Sequence, residues 1–320
     1  MNAPVEFFGG ITESFARDIA DNLKAFSIVD ELDINLYFDT TIPAQNSSSL
    51  KVLILMEPPA VMPENYARIN LKRSNMIISL SPWRAKSMDT SFWSFQPIEF
   101  PSDFVNVNER RQNRVVIIND HKFGSTRSSL YGYRRKLIQN LESQNVPLDL
   151  FGPNWSMSLA LETRKRVASF RRALKNKKEI SFFEAFSEFG ATYRSYRGHA
   201  INKIKVLNSF RFALIVENDT ESLTEKIFDA LYANCIVFYR GPNLKQFMNI
   251  DLPHIPLPEN VYDAAALIQK YLKSDTKPLE DKISAFSFES GEMKKFAEKN
   301  VARDIASHIS RYVKAQGKMS

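Results

Sequence analysis

Apolar residues in this chain gather in short runs: LKVLILM (50–56), NMIISLS (75–81), RVVIIND (114–120), LDLFG (148–152), FALIVE (212–217) and CIVFYRG (235–241). Each run is strand-sized, and the segments between them carry apolar residues at helical spacing. Strands buried on both faces read as near-continuous apolar runs, so the pattern predicts βα units around parallel sheets. Two sheets are expected. The first takes in 50–56 and 75–81, with DINLYFD (33–39) beside them. The second begins at 114–120, passes through a helix YGYRRKLIQNLES (131–143) to 148–152, and takes in 212–217 and 235–241. Residues 93–114 contain two prolines and little periodicity, and read as the linker. The expected organisation is therefore a domain over 1–110, a second over 111–288, and a helical segment over 289–320. That last segment carries Val301, Ile305, Ile309 and Val313 at four-residue spacing, a stripe expected to pack across the two domains.

Composition fits this picture and narrows it. A chain of 320 residues that is 44% hydrophobic and 25% charged is globular and long enough for two domains. A single cysteine, Cys235, excludes an internal disulfide framework and a thiolate metal cluster, and its apolar neighbours make it a core thiol. No stretch reads as a membrane span or a secretion signal. The formal net charge of +7 favours anionic partners, and it is concentrated: RKRVASFRRALKNKK, Arg164 to Lys178, has eight basic residues in fifteen. This stretch reads as one amphipathic helix with Val167, Phe170 and Leu174 on one side. It suits a solvated or membrane-facing surface, or alternatively nucleic acid; interleaved stacking aromatics are few, so nucleic acid is not expected as a partner.

Candidate chemistry sits after the run FALIV. In an open parallel sheet ligands bind beyond the carboxyl ends of the strands, where Glu217, Asn218, Asp219 and Thr220 fall. Thr224 is a candidate N-cap for EKIFDALYAN, which places Glu225 and Lys226 in a first helical turn. Free N–H groups, a partial positive charge and a lysine suit a phosphate, and a neighbouring glutamate can accept from vicinal hydroxyls. These are parts of a nucleoside diphosphate site; an ordinary capped helix with a solvated first turn has the same residues.

The block resembles the signature of the α-1,3-fucosyltransferases, glycosyltransferase family 10. In that signature a Tyr/Phe-Lys/Arg-Phe strand ends in Glu-Asn, with a Thr-Glu-Lys segment after it. Here the residues are Phe210, Arg211, Phe212, then Glu217, Asn218, then Thr224, Glu225, Lys226 and DALYANCIVFYRGP. Upstream, YRGHAINKIKVL has Gly198 and Lys203 in place, and LYGYRRKLIQNLESQNVPLDLFGPNW is similar to the family's Arg-led helix and strand. The similarity runs from about Arg114 to Gly241. It departs at Ser222, where many members carry an aromatic residue.

The resemblance implies an α/β GT-B architecture, two Rossmann-like domains facing across a cleft with C-terminal helices. The N-terminal domain would bind the acceptor and the C-terminal one GDP-fucose. Lys226 and Arg134 (or Arg135, one register along) would meet the diphosphate and Glu225 the ribose, within a donor site of Arg134, Glu217, Asn218, Thr224, Glu225 and Lys226. The reaction implied is inverting transfer of fucose to a hydroxyl of an oligosaccharide or lipid-linked glycan acceptor, as in lipopolysaccharide synthesis, by a soluble bacterial-type enzyme. It would be cytoplasmic or peripheral at the inner membrane face. No Asp-x-Asp motif comes after an apolar run and the four histidines lack ligand spacing, so no metal and no cofactor beyond the donor is expected.

Inverting transfer needs a carboxylate to take the acceptor's proton. Glu57 ends the run LKVLILM, with Pro58 and Pro59 after it, and similar enzymes place their base at such a strand end with a later proline and aromatic, here Pro63 and Tyr66. Glu57 is the candidate base; Glu64 and Glu217 are its rivals. A transferase using another GDP-deoxysugar, and a catalytically silent carbohydrate- or anion-binding homologue, are the alternative functions.

Overall fold

The computed structural model describes residues 5–28, 32–44, 48–90, 92–99, 111–175, 180–182, 188–248, 250–288 and 290–317. Residues 101–110 of the expected linker, with the boundary placed near residue 110, lie outside them. The chain divides into two compact units: Met1–Phe100, Glu221–Leu223 and Phe288–Ser320 form the first; Pro101–Thr220 and Thr224–Ser287 form the second.

The first unit holds a parallel sheet in the order β1 (Val5–Gly9), β2 (Ile34–Phe38), β3 (Leu50–Leu55), β4 (Met76–Ser79). Alternation along these strands divides two cores. Ile34, Leu36, Phe38, Val52, Ile54, Met76 and Ile78 face one; Tyr37, Leu53 and Leu55 face the other with Ile42 and Tyr66. Burial on both faces is why β2 to β4 read as mostly apolar runs, interrupted at Asn35 and Lys51 and ending in Ser79. Over the first core lies α1 (Glu13–Ala25), capped by Thr12 and burying Phe15, Ile19 and Leu23 at four-residue spacing. The C-terminal stripe, read from sequence as packing across the domains, is buried here. Val301, Ile305 and Ile309 of the last helix (Glu298–Gly317) share that core with α1, and Ala302 and Ala306 permit close approach. Each large apolar side chain buried this way contributes about 1.5–3 kcal/mol.

The second unit holds a parallel sheet in the order β6 (Leu148–Phe151), β5 (Gln112–Ile118), β7 (Phe210–Val216), β8 (Ile236–Arg240), β9 (Ile255–Pro256). Connections from β5 run one way to β6, whereas β7 lies on the other side of β5. The carboxyl ends of β5 and β7 thus flank the point where strand order reverses, the usual ligand crevice of such a sheet. The helix expected over 131–143 is present as Tyr131–Ser143, and Cys235 is fully buried, its thiol donating to Leu207 O at 3.3 Å. Burial pushes that thiol up to about 12.

Candidate active site

Loops leaving β5 and β7 are tied together: Leu130 N donates to Asn218 O (3.0 Å) and Thr220 N to Ser128 O (2.9 Å). Beside them a pocket of about 410 Å³ is lined by Arg127, Tyr133, Lys136, Arg240 and Tyr262, among others.

Glu217 comes directly after β7 and is fully buried. Its Oε2 accepts from the Thr224 hydroxyl at 2.6 Å and its Oε1 from the Thr224 N–H at 3.2 Å. The Lys226 ammonium lies 3.8 Å from the same carboxylate and donates to Thr224 Oγ1 at 2.9 Å. Burial raises the Glu217 carboxyl above its ordinary range despite the Lys226 charge and the Thr224 bonds. It likewise pushes the neighbouring Tyr239 hydroxyl well up, with the Glu217 charge adding to the effect. Gly241 makes this nest possible, because a Cβ there would overlap the Tyr239 ring and Glu217 Cγ.

This geometry corrects the N-cap assignment. The helix starts one step later, as Lys226–Tyr232, with Glu225 at the N-cap position in helical backbone geometry and making no side-chain cap bond. The Thr224 hydroxyl instead donates to Glu217, and its oxygen accepts from the Lys226 ammonium.

Glu225 and Lys226 remain the open part of the cluster. Lys203, on the short helix Lys203–Leu207, reaches Asp229 Oδ2 at 2.5 Å and Glu225 Oε1 at 3.5 Å. Burial pushes the Glu225 carboxyl up, but Lys226 and Lys203 outweigh it and hold it below the ordinary value. The family pattern includes Lys203, yet nothing in the sequence places it in the site; its partners lie more than twenty positions away. Arg134 is 2% exposed, with one guanidinium nitrogen donating to Val216 O and to Glu217 O, the latter at 3.0 Å. Arg135 donates to Lys122 O (3.1 Å) and stands over the Phe123 ring.

In the first unit, Glu57 lies just past β3 and is partly exposed. Its N–H donates to Asp39 Oδ2 at 2.8 Å, and its carbonyl accepts from the Tyr66 hydroxyl at 2.8 Å. Among the described residues its carboxylate has no hydrogen-bond partner. The rival Glu64 stands on the turn Pro63–Tyr66 with one carboxylate oxygen buried. Ser222, where the family pattern has an aromatic, is 4% exposed and accepts from the Arg84 guanidinium, which lies over the Tyr66 ring.

The basic helix runs Leu159–Lys175 among the described residues, and Lys177 and Lys178 lie outside them. Its inward face differs from the expected apolar side. Glu162, Arg166 and Ala173 are buried, the Arg166–Glu162 ion pair closing at 2.5 Å with Arg166 over the Phe123 ring. Leu174 is 51% exposed, and Val167 and Phe170 are only partly covered, flanking the exposed Arg164, Arg171, Arg172 and Lys175.

The sequence matches no protein-family model and no curated protein. Among solved structures the chain is similar to an α-glucosyltransferase in complex with UDP and a 13-mer DNA containing an A:G mismatch. That match has a TM-score of 0.50 at 12% identity, covering 92% of this chain and 83% of that one. It also aligns with an α1,3-fucosyltransferase (TM-score 0.40, 12% identity, 96% and 78% covered) and with TarM (0.47, 10%, 95% and 53%). The chain therefore spans about half the length of TarM. At such identities the likeness concerns fold: two parallel-sheet, Rossmann-like domains with helices, of the GT-B glycosyltransferase type.

Proposed function

We propose that this protein is an inverting glycosyltransferase that moves fucose from GDP-fucose to a hydroxyl of a glycan acceptor. The observation that carries the reading is the cluster at the carboxyl end of β7, where the exposed Glu225 stands beside the partly covered Lys226 on a base of Glu217 and Thr224. Lys226 meets the diphosphate. Arg134 braces the end of β7 through two carbonyls and is the second cation of the donor site. Glu225, kept ionised by two lysines, accepts from the ribose hydroxyls, with Asn218 beside it. The cationic, tyrosine-lined pocket next to these loops adds room for an anionic nucleotide.

In the reaction, the acceptor oxygen bonds to the anomeric carbon as the bond from that carbon to the diphosphate oxygen breaks. The hydroxyl proton passes to Glu57, and GDP leaves with the electron pair, its charge met by preorganised cations without a metal. Lys226→Ala is expected to weaken GDP binding by about 2 kcal/mol, the scale of a lost charge-assisted bond. Calorimetry giving the same GDP affinity for both proteins overturns the donor site. A thermal-shift panel of sugar nucleotides reports the donor, since a ligand of the native state raises its stability. Preference for another GDP-deoxysugar replaces fucose. Donor binding without transfer to any acceptor in a broad glycan array makes the protein a silent homologue, the reading that Ser222 in place of an aromatic favours.

Among the described residues no helix is long and apolar enough to cross a membrane. The exposed arginines of Leu159–Lys175, flanked by half-open apolar side chains, suit a peripheral hold on an anionic bilayer at the cytoplasmic face, where a lipid-linked acceptor would lie. Vesicle co-sedimentation indifferent to anionic lipid and to salt removes this part.

A further inference from the structure

The carboxylate that organises Glu57 is Asp39, a residue outside every motif in the sequence. Asp39 comes directly after β2 and takes a left-handed φ of 45°, a conformation Asp tolerates better than most residues. From there its side chain reaches the end of the neighbouring strand. Oδ2 accepts from Glu57 N (2.8 Å), while Oδ1 accepts from Met56 N (3.1 Å) and from Asn65 Nδ2 (3.1 Å). Asn65 is itself locked. It is 1% exposed, and its carbonyl accepts from Asn70 Nδ2 at 3.1 Å. Asn70 Oδ1 in turn accepts from Ile42 N at 2.7 Å. With Tyr66 bonded to the Glu57 carbonyl, both backbone groups of Glu57 are fixed and its carboxylate is left open.

We propose that Asp39 is a positioning residue for the reaction: it clamps the Met56–Glu57 backbone so that the Glu57 carboxylate is held at a fixed point. The inference rests on the reading of Glu57 as the base. Burial raises the Asp39 carboxyl to about 6, with the Glu57 charge adding to the rise and the Met56, Glu57 and Asn65 donors opposing it, so at neutral pH the carboxylate is ionised and can accept all three bonds.

Asp39→Asn keeps the shape and the left-handed backbone, but its amide nitrogen must face a donor, so at least one N–H of the clamp is released. Expected for GDP release from GDP-fucose with acceptor present is a ten- to hundredfold fall in kcat with unchanged GDP affinity. The wild-type activity limb near pH 6, where Asp39 takes up its proton, should disappear in the variant. Glu57→Gln separates the two ideas. If Glu57→Gln is inactive while Asp39→Asn stays within twofold of wild type with the same pH profile, the inference is wrong and the base stands. If Glu57→Gln retains full turnover, the base reading fails. A matched loss of kcat and GDP affinity in Asp39→Asn shows a general defect and also overturns the clamp. Should the variant not fold, amide exchange of the wild-type protein decides: protection at Met56 and Glu57 should fall as pH drops from 7 to 5. Constant protection across that range refutes the proposal.

Discussion

Glu57 and Glu217 occupy equivalent places, each just beyond a buried strand of a parallel sheet, one in each unit, yet their atoms are used in opposite ways. At Glu57 the backbone is bonded on both sides and the side chain is open. At Glu217 the side chain is bonded through both oxygens and fully buried. The difference lies in the loop that leaves each strand. Pro58 and Pro59 have no N–H to offer the Glu57 carboxylate, whereas the loop after Glu217 returns Thr224 with both an N–H and a hydroxyl. A strand-end carboxylate becomes reagent or rivet according to the donors its own loop supplies.

The comparison breaks most visibly at Glu57. Glu57→Gln should lower turnover at saturating donor by ~10²–10⁴-fold and leave urea stability unchanged; a loss under tenfold moves the base to Glu64. Asp39 gives the next effect, on pH. Its carboxyl titrates near 6 when folded and at an ordinary 3.8 when not, so the folded state holds the proton more tightly. The stability this confers is complete below about pH 4 and is lost as pH rises through 6. Relative to Asp39→Asn, wild-type stability should decline by at most about 3 kcal/mol across that window, from urea melts at each pH. Glu217→Ala should then cost about 2 kcal/mol, because the buried Thr224 donors lose their acceptor; an unchanged melt would mean Glu217 is no rivet. Smallest is Thr224→Val, expected to cost about 1 kcal/mol in the same assay.

Much of this was legible in the chain. Strands β2 to β8 announce themselves because burial on both faces leaves polar residues few and isolated in the runs, such as Asn35 in β2, Lys51 in β3, Asp149 in β6 and Arg211 in β7. The edges were not: β1 has only partly covered or exposed positions, with Phe8 38% exposed, and β9 is two residues long. Periodicity also misjudged the helix Leu159–Lys175, because its inward face is an ion pair, Glu162 with Arg166, and a hydrophobic pattern does not register buried charge. At the site, the Glu217 to Lys226 block could be read as a unit because its members are close in sequence. Asp39 could not, since its three donors lie 17 to 26 positions away. Thr224 was misplaced for a related reason: cap rules see only the helix downstream, not the carboxylate seven residues before.

Cys235 gives the protein a practical property. Being the chain's one cysteine, buried, and pushed up to about 12, it presents a thiolate fraction of about 10⁻⁵ at neutral pH, far too little for an alkylating dye. The native protein is thus chemically silent toward maleimides. A cysteine placed at Leu174 or Lys175 would be the sole site for a fluorophore whose emission reports whether that helix enters an anionic bilayer.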